Sequence, residues 1–407
     1  MNAPSETPQR KPHLLVLASY FKGEKFLQQA HARGADVTLL TVDKLRDAKW
    51  PRDSLTEICG RRAEGSIDEV VRTVSYLARS RNFDRIVPLD DFDVEVAAAL
   101  REHFRFEGMG DSIARNFRDK LAMRTTARAA GIPVPEFTGV FNHADVHAFT
   151  ERMPPPWMSK PRSSAGAIGI KKVESADTLW RLIEEQGDEQ SYRLLEEYLP
   201  GRVYHVDTLV SRGEVVFEAA HECGAPPFDV AHGGGIFTTI TVPHGTDDEK
   251  ALFALNRKVL KALGLHRGAA HTEFIRADRD GQFYFLECGA RVGGAHIADM
   301  VEASRGISLW AEWANLELDR ETLPWQMPSN HKNDYGGLII SLARQERPDL
   351  GAYDDPEIFF RVPEKNHAGL AIASPDHARV TSLIRSYEER FKRDFHMALP
   401  PTEKPEH

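Results

Sequence analysis

The stretch AAHTEFIRADRDGQFYFLECGARVGG, from Ala269 to Gly294, decides how this chain folds. Two segments rich in aromatic and aliphatic residues flank the turn Arg279–Gly281, a pattern that predicts a β-hairpin. A three-residue loop with Gly281 in the left-handed conformation then places Glu273 directly opposite Glu287. Facing carboxylates repel each other across a strand pair, so this register predicts a positive charge between them.

The paired carboxylates predict a site for a hard divalent cation. Mg²⁺ binds oxygen ligands and characteristically uses one or two carboxylates together with substrate phosphates. Two alternatives remain open for the hairpin by itself. A two-residue loop places the acids on opposite faces, and an ordinary hairpin can carry two unrelated acids. Features upstream in the chain favour the metal site.

A stretch of small residues, RSSAGAIG from Arg162 to Gly169, lies between two predicted strands. Backbone amides in such a loop can approach phosphate oxygens closely, because few side chains obstruct them. It is not a P-loop, since the GxxxxGK[ST] pattern is absent. Lys160, on the preceding strand, supplies a fixed positive charge beside a phosphate. A flexible hairpin tip and a solvated lysine are the alternatives.

Arg291 follows the second acid in the sequence ECGARVGG. The neighbouring glycines let this segment run close to a ligand, and the planar guanidinium suits phosphate or carboxylate. A surface arginine in a turn is the alternative. A phosphate-type loop, a preceding lysine, paired carboxylates and a following arginine together indicate a nucleoside triphosphate bound with Mg²⁺.

Composition excludes several classes of protein. The 407 residues are 41% hydrophobic, enough for a substantial core divided among two to four lobes. A net charge of −9 gives no support for nucleic-acid binding. Three scattered cysteines without metal-ligand spacing indicate a reduced, cytoplasmic compartment. No apolar run approaches the length of a membrane span, so we expect a soluble protein without a membrane partner.

The order of predicted elements divides the chain into four parts. Residues 1–12 are polar and predict a flexible tail, and strands alternate with helices over residues 13–115. That alternation predicts a doubly wound α/β lobe with a parallel sheet, although its first turn lacks a GxGxxG fingerprint. Residues 116–325 carry the motifs described above, and residues 326–407 predict a small α+β lobe.

An ordered series of motifs resembles the ATP-grasp superfamily, most closely its carboxylate–amine ligase and biotin-carboxylase-like branch. The series consists of RDKLAMRTTARAAGIPVP, WMSKPRSSAGAIGI, LLEEYLPG with YHVDTLV, and HTEFIRADRDGQFYFLECGARVGG. The resemblance implies an ATP-grasp fold of mixed α/β and α+β class. It has an N-terminal doubly wound α/β lobe, a two-part central ATP-grasp domain at 116–325 and a small C-terminal α+β lobe.

The resemblance also implies roles for individual residues. Lys120 and Lys160 contact the ATP phosphates, while Glu273 and Glu287 hold Mg²⁺, with Mn²⁺ as an alternative. Arg291 assists the reacting carboxyl and phosphoryl groups. The lid over the phosphates comprises Ser163, Ser164, Ala165, Gly166 and Gly169, and the hinge beside adenine comprises Glu196, Glu197, Tyr198 and Leu199.

The chain departs from the superfamily pattern at two positions. Gly289 stands where asparagine is usual, which removes one metal ligand, and Val203 stands where a glutamate often contacts ribose. His205 and Asp207 are the candidates to replace the ribose contact. His271 precedes the first metal acid by two residues, so both side chains share one face of the strand. It is a candidate to orient the substrate or a metal-bound phosphate, with a structural histidine as the alternative.

The expected function is that of an ATP-dependent ligase. It activates a small carboxylic acid, with an amino acid as the leading candidate, as an acyl phosphate that an amine attacks, and it releases ADP and phosphate. The partners are then small-molecule carboxylates and amines, and a homodimer is among the states that the resemblance allows. The alternatives are a carboxylase-like enzyme with a different nucleophile, or a catalytically weak nucleotide sensor or assembly subunit.

Overall fold

The computed structural model describes residues 10–164, 166–319, 325–329 and 331–397. Most of the predicted tail, 1–12, and the end of the predicted C-terminal lobe therefore lie outside the described residues. Contacts divide the chain into two compact units. The first contains the described residues of Met1–Asp111 and Trp310–Gln326, and the second those of Ser112–Leu309 and Met327–Glu406. The three boundaries between the four predicted segments stay a prediction.

Sixteen strands and twelve α-helices are present in the described part of the chain. The strands are β1 His13–Ala18, β2 Asp36–Val42, β3 Glu57–Arg61, β4 Arg85–Pro88, β5 Phe137–Gly139, β6 Trp157–Pro161, β7 Lys171–Val173, β8 Arg193–Glu197, β9 Gly201–Ser211, β10 Glu214–Cys223, β11 Phe237–Thr241, β12 Gly268–Ala277, β13 Phe283–Gly289, β14 Tyr335–Leu342, β15 Ile358–Arg361 and β16 His367–Ser374. The helices are α1 Glu24–Ala32, α2 Ile67–Ala78, α3 Val94–Phe104, α4 Asp111–Arg115, α5 Lys120–Ala129, α6 His143–Arg152, α7 Ala176–Gln186, α8 Pro227–Gly233, α9 Asp247–Leu263, α10 Ile297–Arg305, α11 Leu309–Glu317 and α12 His377–Asp394. No helix in this part of the chain combines the length and apolar character that a membrane crossing requires.

The first unit contains the predicted parallel sheet, in the order β3-β2-β1-β4. The strand order reverses beside β1, which is the switch point of a doubly wound sheet. Near the carboxyl ends of these strands, Asp93 is fully buried and accepts hydrogen bonds from Ser19 Oγ at 2.8 Å and from Arg61 Nη2 at 2.8 Å. Asp90 accepts from the backbone N–H of Phe92 at 3.0 Å, as a capping residue does.

The second unit is built on an antiparallel sheet of eight strands, in the order β13-β12-β9-β10-β11-β14-β16-β15. Its last three strands come from the predicted C-terminal lobe, so this segment extends the central sheet. Helix α12 packs its buried residues Val380, Leu383 and Tyr387 into a core with β14 and β16. The predicted mixed α/β and α+β class is confirmed.

A smaller antiparallel sheet of the second unit has the order β5-β8-β6-β7. Trp157 of β6 is buried in its core together with Leu195 of β8 and with Phe149 and Leu182 of the two helices α6 and α7. The glycine-containing loop joins β6 to β7, as its sequence predicts, and the hinge segment follows β8. This sheet therefore carries both the candidate phosphate loop and the candidate hinge.

The hairpin of β12 and β13 forms, and Glu273 pairs with Glu287 as predicted. The predicted three-residue loop is wrong. The backbone N–H of Ala277 donates to the Gln282 carbonyl at 2.9 Å, which leaves the four residues Asp278–Gly281 in the loop. The last of them has φ of 70°, the left-handed conformation predicted for that glycine. A four-residue loop by itself offsets the strand register by one residue.

A β-bulge restores the register. Phe274 pairs with Phe285, whereas Glu273 pairs with Glu287, so Leu286 is an extra residue on β13. Bulges interrupt the alternation of side chains and re-aim them, often beside active sites. Without the bulge, Glu287 would share a face with the fully buried Phe285. The bulge turns it to the opposite face.

Candidate functional site

A cavity of about 400 Å³ lies in the second unit between its two sheets. Twelve of the residues predicted from the sequence contribute to its lining. They are Lys120, Lys160, Gly166, Glu196, Glu197, Tyr198, Leu199, His205, His271, Glu273, Glu287 and Arg291. Residues separated by as many as 171 positions in the sequence (Lys120 and Arg291) therefore meet at one site.

The large sheet forms one wall of the cavity through alternate residues of its strands. On β12 these are His271, Glu273 and Ile275, spaced by two as a strand requires. On β13 the cavity residues Leu286 and Glu287 are adjacent, because the bulge places both on the same side. The wall therefore presents an apolar part near the hinge and two carboxylates further along the strands.

Lys120 places a positive charge beside Glu287, one of the two facing carboxylates. Its position is fixed by Asp119, which caps α5 by accepting a hydrogen bond from the N–H of Leu121 at 2.9 Å. The Lys120 Nζ lies 2.8 Å from Glu287 Oε2 and donates to the carbonyl oxygen of Ser164 at 2.7 Å. One ammonium thus joins a candidate metal ligand to the glycine-containing loop.

Glu196 is a buried carboxylate bound from two sides. Lys160 Nζ donates to its Oε1, and Arg124 donates to its Oε2 from Nη2 at 2.9 Å and from Nε at 3.1 Å. Burial by itself raises the pKa of Glu196, but the charges of Arg124 and Lys160 outweigh it and hold that pKa below its ordinary value. Arg124 also donates from Nη1 to the carbonyl oxygen of the bulge residue Leu286.

The carboxylate of the second hinge acid, Glu197, is also bound within the protein. The Glu197 carboxylate accepts a hydrogen bond from Arg279 Nη1 at 2.8 Å and another from the backbone N–H of Glu136 at 3.0 Å. Both hinge carboxylates therefore have partners within the protein. A planar ligand beside the segment Glu196–Leu199 would therefore contact its backbone and the side chains of Tyr198 and Leu199.

Three histidines surround one buried aspartate beside the metal-type acids. Asp207 accepts from His271 Nδ1 at 2.9 Å and from His205 Nδ1 at 2.8 Å. His221 Nδ1 lies 3.4 Å from the same carboxylate, and the His205 and His221 rings stack with centroids 4.7 Å apart. His271 also directs Nε2 toward Glu273 Oε1, 3.5 Å away.

The charge of Asp207 separates the pKa values of these histidines. Burial lowers the pKa of His271, but the charge and hydrogen bond of Asp207, with a further contribution from Glu273, raise it to about 9. Burial dominates at His221 and lowers its pKa to about 4. Burial raises the pKa of Asp207, but His271 and His205 hold it well below its ordinary value. Without a bound cation, Asp207 and Glu273 therefore favour the protonated form of His271.

The glycine-containing loop uses left-handed backbone at three positions. Gly166, Ala167 and Gly169 have φ of 66°, 62° and 68°, a region that glycine adopts without strain. Gly166 and Ala167 line the cavity, as a loop that approaches phosphate must. The hydrogen bond from Lys120 Nζ to the carbonyl oxygen of Ser164 connects the loop to the cavity lining.

Part of the predicted lid does not face the cavity. Ser163, Ser164 and Gly169 are not among the lining residues, and Ser163 is exposed to solvent. The carbonyl oxygen of Gly169 accepts a hydrogen bond from Arg193 Nη2 at 2.8 Å, which holds the loop to β8. The predicted position Ala165 lies outside the described residues.

The segment around α8 also lines the cavity and was not predicted to do so. Pro226, Pro227, Phe228 and Asp229 face it, and His232 Nε2 lies 3.0 Å from the carbonyl oxygen of Ile170 at the end of the glycine-containing loop. The sequence GAPPFDVAHGGG has neither a strong period nor a transferable motif. The pair of prolines before an aromatic residue is a turn signal, and it gives no indication of which site the turn covers.

Two carboxylates, a bridging lysine and an arginine suit a magnesium nucleotide. Hard oxygen donors such as Glu273 and Glu287 fit Mg²⁺ or Mn²⁺. Lys160 and Lys120 lie on the same side as the glycine-containing loop, where phosphate oxygens would find both charge and backbone amides. A sheet that carries paired acids, opposed by a small sheet with a lysine and a glycine loop, is the arrangement that the resemblance to the ATP-grasp superfamily implies.

Comparisons with known proteins agree with this class. Residues 117–295 match the family model of the ATP-grasp domain, so the chain contains an ATP-grasp domain. A crystal structure of an L-amino acid ligase from Bacillus licheniformis superimposes with a TM-score of 0.75 at 18% identity, covering 96% of this chain and 99% of that one. The predicted ATP-grasp fold is confirmed.

Curated relatives are similar over part of their length. The L-arginine-specific L-amino acid ligase of Bacillus subtilis is 27% identical over 246 residues, which are 59% of this chain and 59% of the relative. The D-alanine–D-alanine ligase of Neisseria gonorrhoeae is 26% identical over 193 residues, 46% of this chain and 62% of the relative. The chain thus spans about three fifths of these relatives.

Replacement of Arg124 by methionine should destabilise the second unit. The change leaves Glu196 buried with only Lys160 as a partner, and it frees the bulge carbonyl. We expect a loss of about 3 kcal/mol in the free energy of unfolding, the lower end for breaking a buried ion pair. Urea unfolding followed by circular dichroism measures it. Arg128→Met, one turn later at an exposed position, should change stability by less than about 0.5 kcal/mol and is the matched control.

The pH dependence of stability should change when Asp207 is replaced by asparagine. The pKa of His271 is raised to about 9 from 6.5, so its stabilising contribution is complete below pH 6.5 and disappears as the pH rises through 9. Thermal unfolding in chelator-containing buffer should show this loss between pH 7 and 10 in the wild type and a much smaller one in Asp207→Asn. Equal slopes in both proteins would contradict the assignment. Asp278→Asn, at an exposed loop position, is the control.

Proposed function

We propose that this protein is an ATP-dependent ligase that joins a small carboxylic acid to an amine and releases ADP and phosphate. In such a reaction the carboxylate displaces ADP from the terminal phosphorus, and the amine then displaces phosphate from the acyl phosphate. The observation that carries the proposal is the facing pair Glu273 and Glu287 in one cavity, where Lys120 joins Glu287 to the glycine-containing loop.

The residues of the cavity suit the separate parts of this reaction. Lys120 and Lys160 neutralise charge on the transferring phosphoryl group, which is the main requirement of phosphoryl transfer. Arg291, after β13, is suited by its planar fork to the reacting carboxylate. The glycine-containing loop and the α8 segment cover the cavity, which limits hydrolysis of an acyl phosphate by water.

Glu273 and Glu287 are the residues that would hold Mg²⁺, with Mn²⁺ as an alternative. The bound ion would neutralise phosphate charge and polarise the transferring group. The hinge Glu196–Leu199 would contact adenine through its backbone, since both of its carboxylates are bound within the protein. His205, bonded to Asp207 and to Thr239 Oγ1 at 2.9 Å, has both ring nitrogens engaged, so it would contact ribose only through its ring edge.

The relatives support an amino acid as the acid substrate. These relatives are an L-arginine-specific L-amino acid ligase and D-alanine–D-alanine ligases. We extend this class to the present chain as small amino acids or other small carboxylates, acting with an amine, in the cytoplasm. A homodimer belongs to the same proposal.

The test is a screen with purified protein, ATP and Mg²⁺. Amino acids and other small carboxylates are supplied singly and in pairs, and ADP, phosphate and condensed product are measured. ADP that forms only with particular acid–amine pairs, together with a condensed product by mass spectrometry, supports the ligase. ADP formation that depends on bicarbonate would favour a carboxylase-like reaction. Tight ATP binding without turnover on any pair would favour a sensor.

Glu287→Gln should lower ADP formation by about 10²–10³-fold, as expected for the loss of a charged group at the transferring phosphoryl. The fold should persist, because the amide is isosteric and the residue is partly exposed. Steady-state rates with the best substrate pair measure the effect. Glu222→Gln on β10, whose partner is Arg202 at 2.7 Å, is the control and should retain full activity. Full activity in Glu287→Gln would refute the metal assignment.

Lys160→Met should weaken ATP binding by about 10-fold or more, since a charge-assisted contact to phosphate is worth at least 1.4 kcal/mol. Methionine keeps the apolar stem and removes the charge. Isothermal titration calorimetry with a non-hydrolysable ATP analogue measures the dissociation constant. Lys258→Met, at an exposed position of α9, is the matched control. Unchanged affinity in Lys160→Met would remove this residue from the phosphate site.

A further inference from the structure

Asp207, His271 and Glu273 form a corner of the cavity in which one imidazole lies between two carboxylates. His271 Nδ1 is 2.9 Å from Asp207 Oδ1, and His271 Nε2 is 3.5 Å from Glu273 Oε1. Asp207 is fully buried, whereas the other two side chains line the cavity. The two nitrogens of one ring therefore face a structural acid and a candidate metal ligand.

The surrounding backbone fixes this ring. A Cβ atom added at Gly293 would lie 2.7 Å from Asp207 Oδ1 and 3.0 Å from His271 Nδ1, so only glycine lets the chain pass this closely. Gly289, which pairs with His271 across the hairpin, has no side chain to fill the space beside it. The imidazole is thus enclosed on its Nδ1 side and open toward the cavity on its Nε2 side.

A histidine held through Nδ1 by a carboxylate is the usual arrangement of a metal-ligating histidine. The carboxylate fixes the ring and its tautomer, and the opposite nitrogen presents its lone pair to the ion. A separation of 3.5 Å between Nε2 and Oε1 suits two ligands that share one ion at about 2.1 Å each. A divalent cation at Nε2 would place a positive charge between the two carboxylates, in the position that the Nε2 proton takes without an ion.

The geometry points to His271 as a third protein ligand, through Nε2, of the divalent cation held by Glu273 and Glu287. This inference rests on the proposed function, and it makes His271 a ligand of the ion itself, where the sequence indicated that it orients the substrate or a metal-bound phosphate.

A cation within the buried cluster itself is the less favourable arrangement. The ligand atoms of His205, Asp207 and His271 lie within 4.8 Å of one another. His205, however, uses Nδ1 for Asp207 and Nε2 for Thr239 Oγ1 at 2.9 Å, so it has no nitrogen left for an ion. The nitrogen of His271 that faces Glu273 is the one directed into the cavity.

An imidazole ligand changes the metal preference of the site. Mg²⁺ favours oxygen ligands, whereas Mn²⁺ and Co²⁺ accept an imidazole nitrogen readily. We therefore expect the wild type to prefer Mn²⁺ over Mg²⁺ in the presence of ADP. His271→Gln should reduce that preference, because it replaces the nitrogen ligand with an amide.

The test is pulsed electron paramagnetic resonance of the protein with Mn²⁺ and ADP. Wild-type protein should show coupling of Mn²⁺ to a directly bound nitrogen, and labelling the histidines with ¹⁵N should change that coupling. His271→Gln should lose it and should bind Mn²⁺ about 10-fold more weakly or worse. His221→Asn, a buried member of the same cluster that does not line the cavity, is the control and should retain the coupling.

The outcomes separate this inference from the proposed function. Binding of Mn²⁺ with ADP but without histidine coupling in the wild type, or coupling that survives in His271→Gln, overturns the inference and leaves the ligase proposal intact. Failure of the wild type to bind Mn²⁺ with ADP counts against both. If His271→Gln does not fold, the ¹⁵N-dependent coupling in the wild type and in His221→Asn decides, since His205 has no free nitrogen.

Discussion

The buried carboxylate of Glu196 is the group on which the geometry of the site depends. It is only 2% exposed, so the charge is tolerated because Arg124 and Lys160 bind its two oxygens. Arg124, itself fully buried, continues from Glu196 to the carbonyl oxygen of Leu286. One side chain of α5 therefore links the small sheet, which carries the hinge, to the bulge of the large sheet, which aims Glu287 into the cavity.

Other acids of the cavity wall are also paired with cationic side chains. Lys120 contacts Glu287, and His271 lies between Asp207 and Glu273, so these acids of the large sheet have positive partners on their own wall. In a bound magnesium nucleotide the ion can pair with the carboxylates while the phosphates pair with the lysine. No buried charge is then left without a partner. This arrangement is consistent with a site that holds its carboxylates apart and directed inward.

Much of this could be predicted from the sequence. The hairpin and the pairing of Glu273 with Glu287 follow from turn chemistry and alternation, and the parallel sheet of the first unit follows from alternating strands and helices. The loop length was wrong, and the pairing holds because a bulge at Leu286 offsets the extra loop residue. No local signal marks such a bulge, and the side chain that binds its carbonyl oxygen, Arg124, lies 162 residues earlier in the chain.

The sequence by itself determined which residue types carry charge, where strands alternate and where glycine permits left-handed backbone, because these properties depend on near neighbours. Only the tertiary structure decided that the Glu197 carboxylate turns to Arg279, that α8 covers the cavity and that Asp207 gathers three histidines. Those outcomes depend on distances between strands and loops that are far apart in the chain. A buried charge takes the partner that packing brings near, and sequence spacing does not specify that partner.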